Sequence, residues 1–203
     1  MIRAVLLDLG NVVIDIDFER VFDVWAEAAD VDRQHFRERW QMDAAYREHE
    51  VGDRNFEGYV EALEQRFEVA LPLEVWRSGW NSLFTGAYPG VIERLPAVAR
   101  QVPLYCFSNT NAEHHAYWGS RYRDDLAAFS QIFVSSSIGL RKPDVAAYEH
   151  VLREMDCEGP EVLFPDDTPG NIKGAEQPGT PCVNVSRPRD VERALDRVLD
   201  STA

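Results

Sequence analysis

Four polar clusters in the 203-residue sequence carry the residue types that phosphoryl transfer requires: Asp8-Leu9-Gly10-Asn11, Ser108-Asn109-Thr110, Arg141-Lys142-Pro143, and Asp166-Asp167 with Asn171 four residues after the pair. A carboxylate such as Asp8 can attack phosphorus to give an acyl-phosphate, splitting one difficult hydrolysis into two easier steps. The attack brings two anions together, so a hard cation is needed between them. Mg²⁺ takes oxygen ligands and commonly holds one or two carboxylates, a substrate phosphate and waters. Asp8, Asp166 and Asp167 are the candidate carboxylate donors. Lys142 would neutralise further charge on the transferring group, and the Ser108 hydroxyl and the Asn109 backbone N–H would hold phosphoryl oxygens.

Each cluster alone has a purely structural explanation. An Asp after a strand is usually a turn or cap residue, and Ser-Asn-Thr is good N-cap chemistry. A Lys before Pro is usually solvated, and Asp166-Asp167 before Thr168-Pro169-Gly170 reads as a turn. Their common address changes the balance, because every cluster stands at or beyond the end of a short apolar run. In an open α/β sheet, ligands bind outside the carboxyl ends of the strands, so parallel neighbours would bring the clusters to one sheet edge.

The apolar runs are Ala4–Leu7, Pro103–Phe107, Ile132–Val134, Val162–Phe164 and Pro181–Val185, short and continuous as buried parallel strands are. Helical spacing appears between them, at Val145, Tyr148, Leu152 and Met155 and again at Val191, Leu195 and Val198. This alternation predicts an α/β fold with a doubly wound, mainly parallel Rossmann-like sheet. The stretch from Phe18 to Phe84 contains no convincing strand. It reads as amphipathic helices, with one stripe at Phe22, Trp25, Ala26 and Ala29 and another at Phe56, Tyr59, Val60, Leu63 and Phe67. Trp25, Trp40 and Trp76 are expected on these helices, with Trp80 closing the segment. The expected organisation is a core of residues 1–15 and 85–203 with a small helical cap domain at 16–84.

The chain carries 21 basic and 35 acidic residues, a formal charge of −14. That balance repels phosphate backbones and argues against a nucleic-acid partner. It admits a small anionic substrate only where a metal or local cations offset it. Cys106, Cys157 and Cys182 lack metal-ligand spacing; Cys106 and Cys182 lie in strand-like runs and are expected to be buried free thiols, as in a reducing cytoplasm. The apolar start ends at Asp8, which argues against a targeting segment or a membrane partner. The sequence specifies no oligomeric state.

The ordered segments Asp8-Leu9-Gly10-Asn11-Val12-Val13, Ser108-Asn109-Thr110, Lys142-Pro143 and Asp166-Asp167-x-x-x-Asn171-Ile172-x-Gly174-Ala175 resemble the four motifs of the haloacid dehalogenase-like superfamily. The resemblance covers nearly the whole chain, including a helical insertion between the first two motifs. It implies a hydrolase with Asp8 as nucleophile and Lys142 as its charge partner, Ser108 and Asn109 on phosphate, and Asp166 and Asp167 on Mg²⁺. Within the superfamily the chain is most similar to bacterial α-D-glucose-1-phosphate phosphatases, through Asp8–Asn11, the Asp15–Phe18 entry to the cap and the cap segment His49-Glu50-Val51-Gly52. A phosphatase acting on a small phosphorylated metabolite, such as a sugar phosphate, is therefore expected.

Gly10 is a departure. Most superfamily phosphatases carry a second Asp there as general acid and base; Gly10 keeps a carbonyl for the metal but has no proton to give. Asp15 and Asp17 are candidate substitute acids. Pro165 stands where an apolar strand residue is usual, tolerable at a strand end because only one ladder donor is lost. Two rivals remain: a metal-independent 2-haloacid dehalogenase, disfavoured by the acidic pair Asp166-Asp167, and a non-catalytic binding protein of the same fold, kept open by Gly10. In the cap, Glu48, His49 and Glu50 are expected on a solvated face, and His114 and His115 at the surface.

Overall fold

The computed structural model describes residues 1–201. Five strands form one parallel sheet: β1 (Ala4–Leu7), β4 (Leu104–Ser108), β5 (Gln131–Val134), β6 (Val162–Asp166) and β7 (Cys182–Asn184), in the order β5-β4-β1-β6-β7. β1 occupies the centre, with Leu7 opposite Cys106 on β4 and Val5 opposite Leu163 on β6. Alternate side chains leave opposite faces of a strand, and both faces are covered. Val5 and Leu7 join Val91, Leu95, Val98, Trp118, Leu195 and Val198 on one side. Ala4 and Leu6 join Phe107, Tyr148, Val151, Phe164 and Ala175 on the other. Burial on both faces is why these strands read as unbroken apolar runs.

Between β1 and β4 the chain makes a second, smaller sheet and a helical unit. β2 (Ile14–Ile16) pairs antiparallel with β3 (Phe84–Ala87). From this ribbon extend α1 (Glu19–Ala29), α2 (Arg33–Arg37), α3 (Ala44–Val51), α4 (Phe56–Phe67) and α5 (Leu73–Asn81). Asp43 and Asn55 cap α3 and α4 by accepting from the backbone N–H of Tyr46 and Gly58. The fully buried Trp25 ring has Phe36, Phe67, Trp76 and Trp80 within 4.8–6.0 Å, giving this unit an aromatic core of its own.

The remaining helices are α6 (Pro89–Ile92), α7 (Leu95–Ala99), α8 (Ala112–Arg121), α9 (Ser135–Ile138), α10 (Val145–Glu154), α11 (Pro169–Glu176) and α12 (Pro188–Ser201). The doubly wound α/β expectation is met. Four details differ. The β2–β3 ribbon was not expected; it straddles the anticipated junctions at 15/16 and 84/85, and its strands are too short to show alternation. Trp40 lies in the loop between α2 and α3, packed on Phe18 and Tyr46 rather than carried on a helix. Cys182 is only half-buried, because β7 is the sheet edge. Asp166 is the last residue of β6 itself, one place after Pro165.

Candidate active site

Asp8 leaves the end of β1 and Ser108 ends β4, while Asp166 ends β6, so the three strand ends stand side by side. Lys142 comes from the segment after α9 and is buried between two of them. Its Nζ lies 2.6 Å from Asp8 Oδ1 and 2.7 Å from Asp166 Oδ2. The same ammonium lies 5.4 and 5.5 Å from the ring centroids of Phe107 and Phe164. Asn109 fixes the lysine's backbone from both sides: Nδ2 donates to the Lys142 carbonyl and Oδ1 accepts from the Lys142 N–H, each at 2.8 Å. The following Lys142–Pro143 peptide is cis. A Cβ on Gly174 of α11 would fall 2.3 Å from the Pro143 carbonyl oxygen, so only glycine lets α11 approach this turn.

The acidic pair divides its work. Asp166 is wholly buried and its oxygens accept from Lys142, from Asn171 Nδ2 at 3.1 Å and from the Thr168 N–H at 2.8 Å. Asp167 is partly exposed, faces the cavity and accepts from Asn11 Nδ2 at 3.0 Å. Asn11 reaches it from a left-handed backbone conformation (φ 56°), which Asn tolerates better than most residues. One carboxylate oxygen from each of Asp8, Asp166 and Asp167 lies within 4.8 Å of the others. Burial pushes the Asp8 carboxyl up to about 7, against the downward pull of Lys142. Burial alone would lower Lys142, but Asp166 and Asp8 reverse this and hold it above the ordinary lysine value.

These groups open into a cavity of about 430 Å³, within the range of small-molecule sites. Asp8, Gly10, Ser108, Asn109, Lys142 and Asp167 line its polar end, and Ile16, Phe18, Leu83, Phe84 and Trp118 much of the rest. All four sequence clusters therefore meet at one place.

Several polar residues are placed otherwise than the sequence suggested. Glu50 is buried, not on a solvated face, and its Oε2 accepts from Arg141 at 2.7 and 2.8 Å. Burial raises the Glu50 carboxyl, opposed by Arg141 and by a hydrogen bond from the Tyr46 hydroxyl. Ser135 Oγ donates to the Glu50 carbonyl at 2.6 Å and accepts from the Thr110 N–H at 2.8 Å, tying α3 to the sheet. Gly52 (φ 84°) closes α3, and any Cβ there would strike the Ser136 carbonyl oxygen at 2.5 Å. His49 is buried against the Tyr59 ring, and Glu48 pairs with Arg54.

His114 is buried rather than at the surface: Nε2 donates to the Trp80 carbonyl at 3.0 Å, and Nδ1 accepts from Asn111 at 3.2 Å. Burial lowers its pKa to about 3, so it stays neutral. His115 is half-buried on Trp118. Neither candidate acid lines the cavity: Asp15 accepts from Tyr88 and Thr85, and Asp17 accepts from the Glu19 N–H. The Glu50–Arg141 pair was missed because its partners are 91 residues apart on elements whose docking no local pattern encodes.

A sesquiterpene phosphatase of Aspergillus oryzae is 38% identical over 79 residues, 38% of this chain and 39% of that protein. A drimenol cyclase of Aspergillus calidoustus is 34% identical over 80 residues, 39% of this chain and 15% of that protein. The chain thus spans well under two thirds of both. The D-ribitol-5-phosphate phosphatase of Bacteroides thetaiotaomicron matches 99% of this chain and 100% of its own length at 19% identity. The same fold occurs in a HAD-family enzyme of Bacteroides thetaiotaomicron solved with magnesium and inorganic phosphate, with TM-score 0.80, 21% identity, and 91% of this chain and 94% of that one covered. Residues 2–179 match the family described as haloacid dehalogenase-like hydrolase, and with the four motifs assembled at one sheet edge, the chain belongs to that family.

Proposed function

We propose that the protein is a Mg²⁺-dependent phosphatase that hydrolyses a small phosphorylated metabolite through an aspartyl-phosphate on Asp8. The observation that carries this reading is Lys142, buried between Asp8 and Asp166 in the cavity wall. The donor set suits the metal: three carboxylates converge with one ammonium to offset them, and every donor is oxygen, as a hard dication prefers. Asp8, the Gly10 carbonyl, Asp166 and Asp167 would hold it. When bound, the ion neutralises phosphoryl oxygens that the three carboxylates would otherwise repel.

Asp8 Oδ1 is held by Lys142, which leaves its second oxygen for attack. As the Asp8 O–P bond forms, the bond from phosphorus to the ester oxygen breaks, and that oxygen leaves with the bonding pair and takes a proton from water to become the alcohol. Water then cleaves the acyl-phosphate, releasing inorganic phosphate and restoring Asp8. Ser108 and the Asn109 N–H hold phosphoryl oxygens through both steps, and Lys142 stays protonated to balance their charge. Residues 16–84 act as a cap on the core of 1–15 and 85–203, bringing Ile16, Phe18 and Glu50 to the substrate.

A sugar phosphate, with α-D-glucose 1-phosphate first, is the substrate favoured by the first motif and the cap resemblance; a full-length relative named for D-ribitol 5-phosphate supports the same class. The acidic pair speaks against a dehalogenase. No described helix is long and apolar enough to cross a membrane, and free thiols at Cys106, Cys157 and Cys182 support a cytoplasmic location. Turnover of p-nitrophenyl phosphate with and without chelator tests the reading. It should need Mg²⁺ and vanish in Asp8→Asn, which keeps the shape but loses the nucleophile. Full activity in a metal-stripped sample, or in Asp8→Asn, would overturn it.

A further inference from the structure

The cavity has a distinctive charge inventory. The charged side chains that line it are Asp8, Glu50, Arg141, Lys142 and Asp167. Both cations are already committed: Lys142 to Asp8 and Asp166, and Arg141 through two nitrogens to one oxygen of Glu50. His114, also in the wall, has both ring nitrogens engaged and stays neutral. Among the described residues, no cation remains in the cavity for a second anion.

We infer that the cavity selects phosphate esters of neutral alcohols, and that Glu50 sets this choice by cancelling Arg141. The inference rests on the phosphatase reading above and narrows its substrate class. A carboxylate or second phosphate on the alcohol would meet Glu50, with no free charge to answer it. An uncharged hydroxyl fits: Arg141 has N–H groups beyond the two given to Glu50, and Phe18, Phe84 and Trp118 offer apolar surface to a carbon framework. Glu50 comes from α3 and Arg141 from the segment that carries Lys142. The selecting pair is therefore complete only while the helical unit is docked.

Matched substrates that differ by one charge test this, namely α-D-glucose 1-phosphate against α-D-glucuronic acid 1-phosphate, and glycerol 2-phosphate against 2-phosphoglycerate. The native protein should favour the neutral member of each pair in kcat/KM by about tenfold or more, the scale of one charge-assisted hydrogen bond. Glu50→Gln should shrink or invert the preference by freeing Arg141. Arg141→Gln should not, because it supplies no cation. Equal rates for neutral and anionic members in the native protein, with p-nitrophenyl phosphate still turned over, would overturn this inference alone. The same gain for anions in both variants would also overturn it, as mere loosening of the site. Absence of turnover on every ester would overturn the phosphatase reading and this inference with it.

Discussion

Replacing Lys142 with Met removes the ammonium between Asp8 and Asp166 while keeping a side chain of similar length. The lysine side chain is 1% exposed, Asp166 is 0% and Asp8 12%, so little solvent can screen the two anions left behind. Breaking a buried pair by deleting one partner costs about 3–5 kcal/mol. For a chain of this size ~1 kcal/mol moves the melting temperature by roughly 2–4 °C, so Lys142→Met should melt about 6–20 °C below the native protein. The comparison belongs in chelator, because a bound dication would offset the same repulsion. Adding Asp166→Asn removes one of the stranded charges, so the double variant should be about 0.5–3 kcal/mol more stable than the sum of the two single effects, the usual coupling of residues in contact. Differential scanning calorimetry of the four proteins of the cycle measures this. A single variant melting within about 2 °C of native, or single effects that simply add in the double variant, would refute the charge balance described here.

Gly10→Asp tests the missing acid. Its Cβ would sit 3.1 Å from the flexible tip of Ile16, so the site can accept it with a small shift, and a positioned acid typically supplies about 10²–10⁴-fold. The native protein should lose rate steeply as leaving-group pKa rises, favouring anomeric and aryl esters over alkyl ones, and the variant should flatten that slope. An already flat native plot would mean that an acid is present. His114, depressed to about 3, binds no proton in the folded protein until well below the unfolded value. Its stabilising share is present above pH ~6.5 and is lost as pH falls towards ~3, at about 1.4 kcal/mol per pH unit. Urea unfolding of His114→Gln between those limits should lack that one-proton slope. Gly174→Ala drives a methyl into the Pro143 carbonyl and should cost about 1–3 kcal/mol. Activity should fall with it, because Pro143 follows Lys142; native stability in urea would contradict the packing.

Residue type and spacing alone determined a good deal of this protein. The runs at Ala4–Leu7 and Val162–Phe164 are unbroken because both sheet faces are buried, so their strand character and the address of Asp8 and Asp166 could be read locally. The stripe from Phe56 to Phe67 is wholly buried where helical spacing placed it. Parallel pairing then carries Asp8, Ser108, Lys142 and Asp166 to one edge, which makes distant motifs predictable as a group. Tertiary structure alone decided that Glu50 and His114 turn inward, that Asp15 faces Tyr88 instead of the cavity, and that β2 and β3 pair across the base of the helical unit. Those outcomes depend on how α3 docks on α9 and how α8 meets Trp80. A solvated Glu and a Glu paired to Arg141 have the same local sequence; only the docked surfaces supply the desolvation and the partner that separate them.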